Sequence, residues 1–202
     1  MLQSLGESLL AVDLGLLYFV GSLHRGWLTP LMLALTQLGN PGPLILLLSL
    51  VTLVFLLWGR TREAGVLLLV SLAAFFLMVT LKGWVQRERP DVAWRLIELP
   101  GDSSFPSGHA LCGLTFYGLV GVMLARGCPG WLRRGLGVVG WMVGLGIGVS
   151  RVYLGVHYPL DVLGGWLAGA ALVLIGQTLS EPSAGGKSGP LPDSATPTVR
   201  SG

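Results

Sequence analysis

Five apolar stretches dominate the chain: residues 44–58, 64–81, 107–125, 131–150 and 159–179. Lipid offers a buried backbone no hydrogen-bond partners, so a segment of this kind must pair its own N–H and C=O groups and is expected to be an α-helix. The first run, LILLLSLVTLVFLLW, falls short of the roughly 20 residues that span a bilayer. Pro41-Gly42-Pro43 just before it can extend it into the interface. Only 11% of the 202 residues are charged and 52% are hydrophobic, whereas soluble domains carry roughly 25% charge. The mean hydropathy of +0.71 points the same way. The expected fold is an all-α, polytopic membrane helix bundle of five transmembrane helices, with residues 41–180 as its core.

The ends of the chain read differently. Residues 8–23 are apolar but contain Asp13, and residues 27–38 are too short to span. We expect residues 1–40 to form two interfacial helices lying against the bilayer; a sixth span at about 5–23 is the alternative. No basic n-region precedes the first apolar run, so no cleavable signal peptide is expected. Residues 181–202 are rich in Ser, Pro and Gly with no apolar face, and are expected to be a disordered tail. Cys112 and Cys128 give neither a disulfide framework nor a zinc pattern. The net charge of +3 is too small and too dispersed to suggest nucleic acid. Gly140, Gly144 and Gly148, and likewise Gly165 and Gly169, recur every fourth residue, a spacing that lets helices approach closely. Whether such stripes pack one chain or two is left open, and so is the oligomeric state.

Loop charge sets an orientation. Arg60 and Arg62 follow the first span, and Arg126, Arg133 and Arg134 lie between the third and fourth. The excess of Lys and Arg in cytoplasmic loops puts both on the inside. Parity of the spans then turns residues 82–106 and 151–158 outward, even though these loops are themselves partly basic.

Those outward loops hold three polar clusters. The first is Lys82 with Arg89 and Pro90. The second is Pro106-Ser107-Gly108-His109, and the third is Ser150-Arg151, His157 and Asp161. Ionisable groups at membrane depth are costly and usually functional. Parity lets four helix ends bring the clusters together. Lys82, Arg89 and Arg151 supply fixed positive charge for a phosphate, arginine as a bidentate fork. Ser107 and Gly108 open a helix whose amides can face an anion. His157 and Asp161 are four residues apart, with Pro159 favouring a helical first turn between them. Asp161 can then orient one imidazole nitrogen of His157 and leave the other free to attack phosphorus. His109 is placed to act as general acid. Taken singly, Lys82 or Arg151 reads as a snorkelling anchor and His109 as a buried histidine; it is the series that points to chemistry. Arg87, Glu88, Asp91, Arg95, Glu98 and Asp102 read as solvated loop charges, and Trp84 and Trp94 as interface anchors.

Together, the three clusters resemble the three motifs of the type 2 phosphatidic acid phosphatase family in order, spacing and helix context, over about residues 82–161. Gly155, Tyr158 and Gly164-Gly165 are similar to bacterial members. The resemblance implies a hydrolase in which His157 forms a phosphohistidine, Asp161 orients it and His109 is the acid. It implies likewise that Lys82, Arg89, Ser107, Gly108 and Arg151 bind phosphate. It implies a lipid phosphate substrate, a bacterial cytoplasmic membrane and a site facing the periplasm or outside. Undecaprenyl diphosphate is the first candidate substrate; phosphatidylglycerol phosphate and phosphatidic acid are alternatives. Transfer to another lipid's hydroxyl and a non-catalytic headgroup binder also stay open. A vanadate-using haloperoxidase has a similar pocket, but those relatives are soluble. No calcium, magnesium or zinc ligand pattern is visible, so no metal or cofactor is expected.

Overall fold

The computed structural model describes residues 2–126 and 128–181, with side chains from residue 7 onward. The described residues form seven helices: α1 (Leu2–Ser22), α2 (Leu28–Leu38), α3 (Pro41–Leu57), α4 (Thr61–Val85), α5 (Gly108–Leu124), α6 (Gly130–Tyr153) and α7 (Pro159–Ser180). The protein is an all-helical membrane bundle. Helices α3 to α7 fall on the five apolar runs. Among the described residues, α4, α6 and α7 are each long and apolar enough to cross a membrane, while α2 and α3 pass that test as a pair bent by 57°. Beyond Glu181, the tail expected at 181–202 lies outside the described residues.

Helix α5 is the hub. Ten of its 17 residues are buried, from Ala110 to Met123, and α3, α4, α6 and α7 all pack on it. Glycine makes this closeness possible. A Cβ on Gly165 would lie 2.8 Å from Ser107 O, and one on Gly169 would lie 2.9 Å from Leu111 O. Gly140 and Gly144 meet the other side of α5, at Tyr117 O and Leu114. These stripes therefore serve contacts within one chain. The outward faces carry Leu57, Leu69, Phe76, Met142, Leu167 and Leu174, all at least half exposed, as befits surfaces bathed in lipid.

The two ends of the bundle differ. At one end Arg60 donates to Met123 O at 2.7 Å and pairs with Glu63 at 3.1 Å. Arg62 there reaches Leu179 O, and Arg126 reaches Gln177 O. The opposite end carries the polar clusters. Helix α1 lies along that end: Asp13, midway along it, accepts from Leu160 N at 2.8 Å. Just past its C-terminus, His24 Nε2 is 2.8 Å from Tyr153 O. Asp13 is about 14 Å of helix from the end of α1 at Ser22, yet both contacts meet the same end of the bundle.

Candidate functional site

Helix lengths shape a pit. At 17 residues, α5 is about 26 Å long, and α4 at 25 residues is about 38 Å. A Cβ on Gly108 would collide with Met78 Sδ, so α5 begins level with Met78 while α4 continues to Val85. Lys82 is one turn beyond Met78 on the same face, about 6 Å above the start of α5. Helix α6 repeats the pattern. Gly39 sits between Ile147 and the His109 ring, and Arg151 is one turn beyond Ile147. Lys82 and Arg151 thus rise as opposite walls over the first turn of α5. Arg151 is 3% exposed; its guanidinium donates to Thr36 Oγ1 at 2.7 Å, and its buried Nε has no partner. A buried donor of this kind is ready for an anion.

His157, in the turn between α6 and α7, is 2% exposed. Arg89 contacts its Nε2 at 3.0 Å and also donates to Val156 O at 2.8 Å. Guanidinium has no acceptor, so Nε2 must accept and the ring proton sits on Nδ1. That proton faces Ser104 Oγ at 3.4 Å and Asp161 Oδ2 at 3.6 Å. Ser104 Oγ in turn donates to Asp161 Oδ2. The carboxylate therefore reaches the imidazole largely through a serine hydroxyl. Burial foremost pushes the His157 pKa down to about 4; Arg89 and Arg151 add to the shift and Asp161 opposes it. At neutral pH the ring is uncharged, and its Nε2 lone pair is turned to the cations.

Asp161 is fully buried and well partnered. Tyr158 N, the N-cap amide of α7, donates to it at 3.0 Å. Arg87 donates to it at 2.7 Å and, through its other terminal nitrogen, to Asp13. Arg87 also covers the Tyr158 ring, 4.2 Å from its centroid. Burial works against the Arg87 charge, but Asp13 and Asp161 outweigh it and raise the pKa. Arg87 is thus a bridge between two buried carboxylates, not the solvated loop charge expected from sequence. Trp94 likewise packs inward, against Gly21, His24 and Tyr18.

Asp102 departs from expectation in the same way. Its carboxylate pairs with Lys82 at 3.1 Å and with Arg89 at 2.5 Å, while its side chain stays 54% exposed. Burial tends to raise its pKa, but the Arg89 and Lys82 hydrogen bonds hold it below the usual carboxylate value. Backbone contacts anchor the same loop: Lys82 donates to Ser103 O, and Arg89 Nε to Asp102 O at 2.9 Å.

Ser107 is the N-cap of α5, its side chain accepting from Ala110 N at 3.4 Å. Its own N–H is spent on Asp161 O at 3.0 Å, which ties the second cluster to the third. The amides of Gly108 and His109, at the helix start, have no partner in the helical ladder. His109 Nε2 lies 2.8 Å from Asn40 Oδ1. All eight residues singled out from sequence therefore line one end of the bundle. Asp13, Asn40, Arg87, Asp102 and Ser104 join them. Asp13 carried a signal, as a carboxylate inside an apolar helix; Ser104 had only its place beside the second cluster. Among the described residues no three His, Cys, Asp or Glu side chains are grouped to hold a metal.

A polytopic helical bundle with a cationic, histidine-bearing pit at one end of its spans defines a membrane protein built to receive an anionic headgroup. Residues 63–181 match the model of the PAP2 superfamily, and the chain belongs to that family: it is a membrane lipid phosphatase. It is 30% identical over 155 residues to phosphatidylglycerophosphatase B of Bacillus subtilis, covering 76% of this chain and 75% of that one. It is 35% identical over 125 residues to an undecaprenyl-diphosphatase of Sulfolobus acidocaldarius, covering 59% and 57%. Among solved structures it is similar to a transmembrane PAP2-type phosphatidylglycerolphosphate phosphatase of Bacillus subtilis, with a TM-score of 0.78, 28% identity and 85% of each chain covered.

Proposed function

We propose that this enzyme removes a phosphoryl group from a lipid phosphate through a phosphohistidine on His157. The carrying observation is the hydrogen-bonding of that ring: Nε2 accepts from Arg89 while Nδ1 is turned to Ser104 and Asp161. A headgroup entering the pit draws Arg89, Lys82 and Arg151 onto its oxygens, with the Gly108 and His109 amides below. Arg89 releases Nε2, which bonds to phosphorus as the bond to the leaving oxygen breaks. His109 protonates that oxygen. Water then attacks phosphorus with His109 as base, and the P–N bond breaks. Positioning and fixed charge supply most of the acceleration.

We infer that the pit faces outward. The arginines of the opposite end fit the cytoplasmic side, and α1, running along the site end, fits an interfacial helix. Undecaprenyl diphosphate is the substrate we propose first, supported by the relative that acts on it. The fuller likeness to phosphatidylglycerophosphatase B favours phosphatidylglycerol phosphate as the second reading. A phosphate-release panel across prenyl diphosphates and glycerolipid phosphates, with chelator present, separates the two. His157→Ala should be silent throughout. A preference for glycerolipids would replace the first substrate by the second. A phosphorylated acceptor in place of free phosphate would mean transfer.

A further inference from the structure

Asn40 occupies the break between α2 and α3, outside all three clusters. As N-cap of α3 it would ordinarily turn its side chain to the helix, but it makes no cap hydrogen bond there, and Pro41 follows at the first helical position. Its side chain is used elsewhere. Nδ2 donates to Gln37 Oε1 at 2.7 Å, and Oδ1 lies 2.8 Å from His109 Nε2. A carboxamide donates only from nitrogen and accepts only at oxygen. With the nitrogen held by Gln37, the oxygen must accept from His109, so His109 carries a proton on Nε2. Among the described residues, the His109 ring hydrogen-bonds through Nε2 alone. Gly39 brings the break against the ring: a Cβ there would lie 2.7 Å from His109 Cδ2 and 2.6 Å from Ile147 Cγ2.

We propose that Asn40, oriented by Gln37, is a positioning residue that pins the Nε2 proton of His109 and so makes Nδ1 the nitrogen that gives and retakes the mobile proton. This rests on His109 being the general acid. With the anionic headgroup bound, its negative charge favours the imidazolium, in which Nδ1 carries a second proton. As His157 Nε2 bonds to phosphorus and the P–O bond to the leaving group breaks, that Nδ1 proton passes to the leaving oxygen, and His109 is left as the neutral Nε2–H imidazole. As water oxygen bonds to phosphorus and the P–N bond breaks, a water proton returns to Nδ1. Nε2 keeps its proton in both halves, so the ring need not turn over between them. The α2–α3 break then belongs to the machinery of the reaction as well as to the wall of the pit.

The test compares two substrates. A long-chain alkyl monophosphate needs its leaving alkoxide protonated; p-nitrophenyl phosphate releases a stable phenolate and does not. A structural defect lowers both turnovers together, whereas a misplaced acid proton lowers their ratio. For Asn40→Ala the ratio of alkyl to aryl kcat should fall roughly 10- to 100-fold. For Asn40→Asp, whose oxygens can only accept, it should stay within about threefold of the parent, since the acid proton is kept in place. An equal fall with both substrates, or an Asn40→Asp ratio as low as that of Asn40→Ala, overturns the proposal. If Asn40→Ala does not yield folded protein, Gln37→Ala is read in its place. It frees the Asn40 amide without touching His109, and an unchanged ratio there also overturns the proposal. His157→Ala run alongside keeps the failures apart: turnover in that variant removes the phosphohistidine and leaves the His109 geometry to be judged by its own ratio.

Discussion

Asp102 lies where a substrate oxygen is expected, between Lys82 and Arg89. An anion reaching those cations must displace its carboxylate, so Asp102→Asn should tighten anion binding instead of weakening it. The side chain is 54% exposed, and exposed ion pairs are each worth about 0.2–1 kcal/mol. Two such pairs amount to about 1 kcal/mol, or roughly a fivefold lower inhibition constant for inorganic phosphate. Loop position should hold, because Lys82 still donates to Ser103 O and Arg89 Nε to Asp102 O. The assay is competitive inhibition by phosphate, repeated with vanadate, in detergent at fixed ionic strength. Weaker inhibition in the variant would mean that Asp102 helps to build the anion site, and the displacement reasoning would be wrong.

Other expectations follow from the same geometry. Arg87→Gln leaves Asp13 and Asp161 facing each other, both fully buried, and should cost about 3–5 kcal/mol of stability; an unchanged melting temperature in detergent would remove Arg87 from its bridging role. The His157 pKa is lowered from 6.5 to about 4, so the folded state resists a proton that the unfolded chain takes up. Stability from this group is present in full above about pH 6.5 and is lost as pH falls toward 4. The acid limb of kcat/KM should sit near pH 4, and a limb near 6.5 would show an accessible imidazole. Gly165→Val would drive a side chain into Ser107 O, 2.8 Å from the Cβ position, and should cost about 1–3 kcal/mol. Loss of activity at a lower melting temperature checks it; wild-type behaviour would mean that α5 and α7 have room to part.

The apolar runs were legible because lipid leaves a spanning segment no structure but a helix, and their register in α3 to α7 matches the sequence pattern. Boundaries moved where polar ends continue the helix: α4 begins at Thr61 and α6 ends at Tyr153. The three clusters were legible because each is local, spanning four to twelve residues. What joins them is not local. Arg87 meets Asp13 and Asp161 across 74 residues each way, and Asn40 meets His109 across 69. An ordinary Asn before a Pro-Gly-Pro turn announces only a helix start, and Arg87 and Asp102 in a polar loop announce only solvation. Their roles come from which helix ends the bundle brings to one level. The shortness of α5, which sinks the pit, is likewise visible only beside the length of α4.

In the proposed mechanism His157 takes the phosphoryl group. Rapid quench of the enzyme with a radiolabelled lipid phosphate, followed by peptide mapping, tests it directly. An acid-labile label is expected on the peptide bearing His157, absent from His157→Ala and chased off by unlabelled substrate. Full turnover in His157→Ala, or a label carried by another residue, would contradict it.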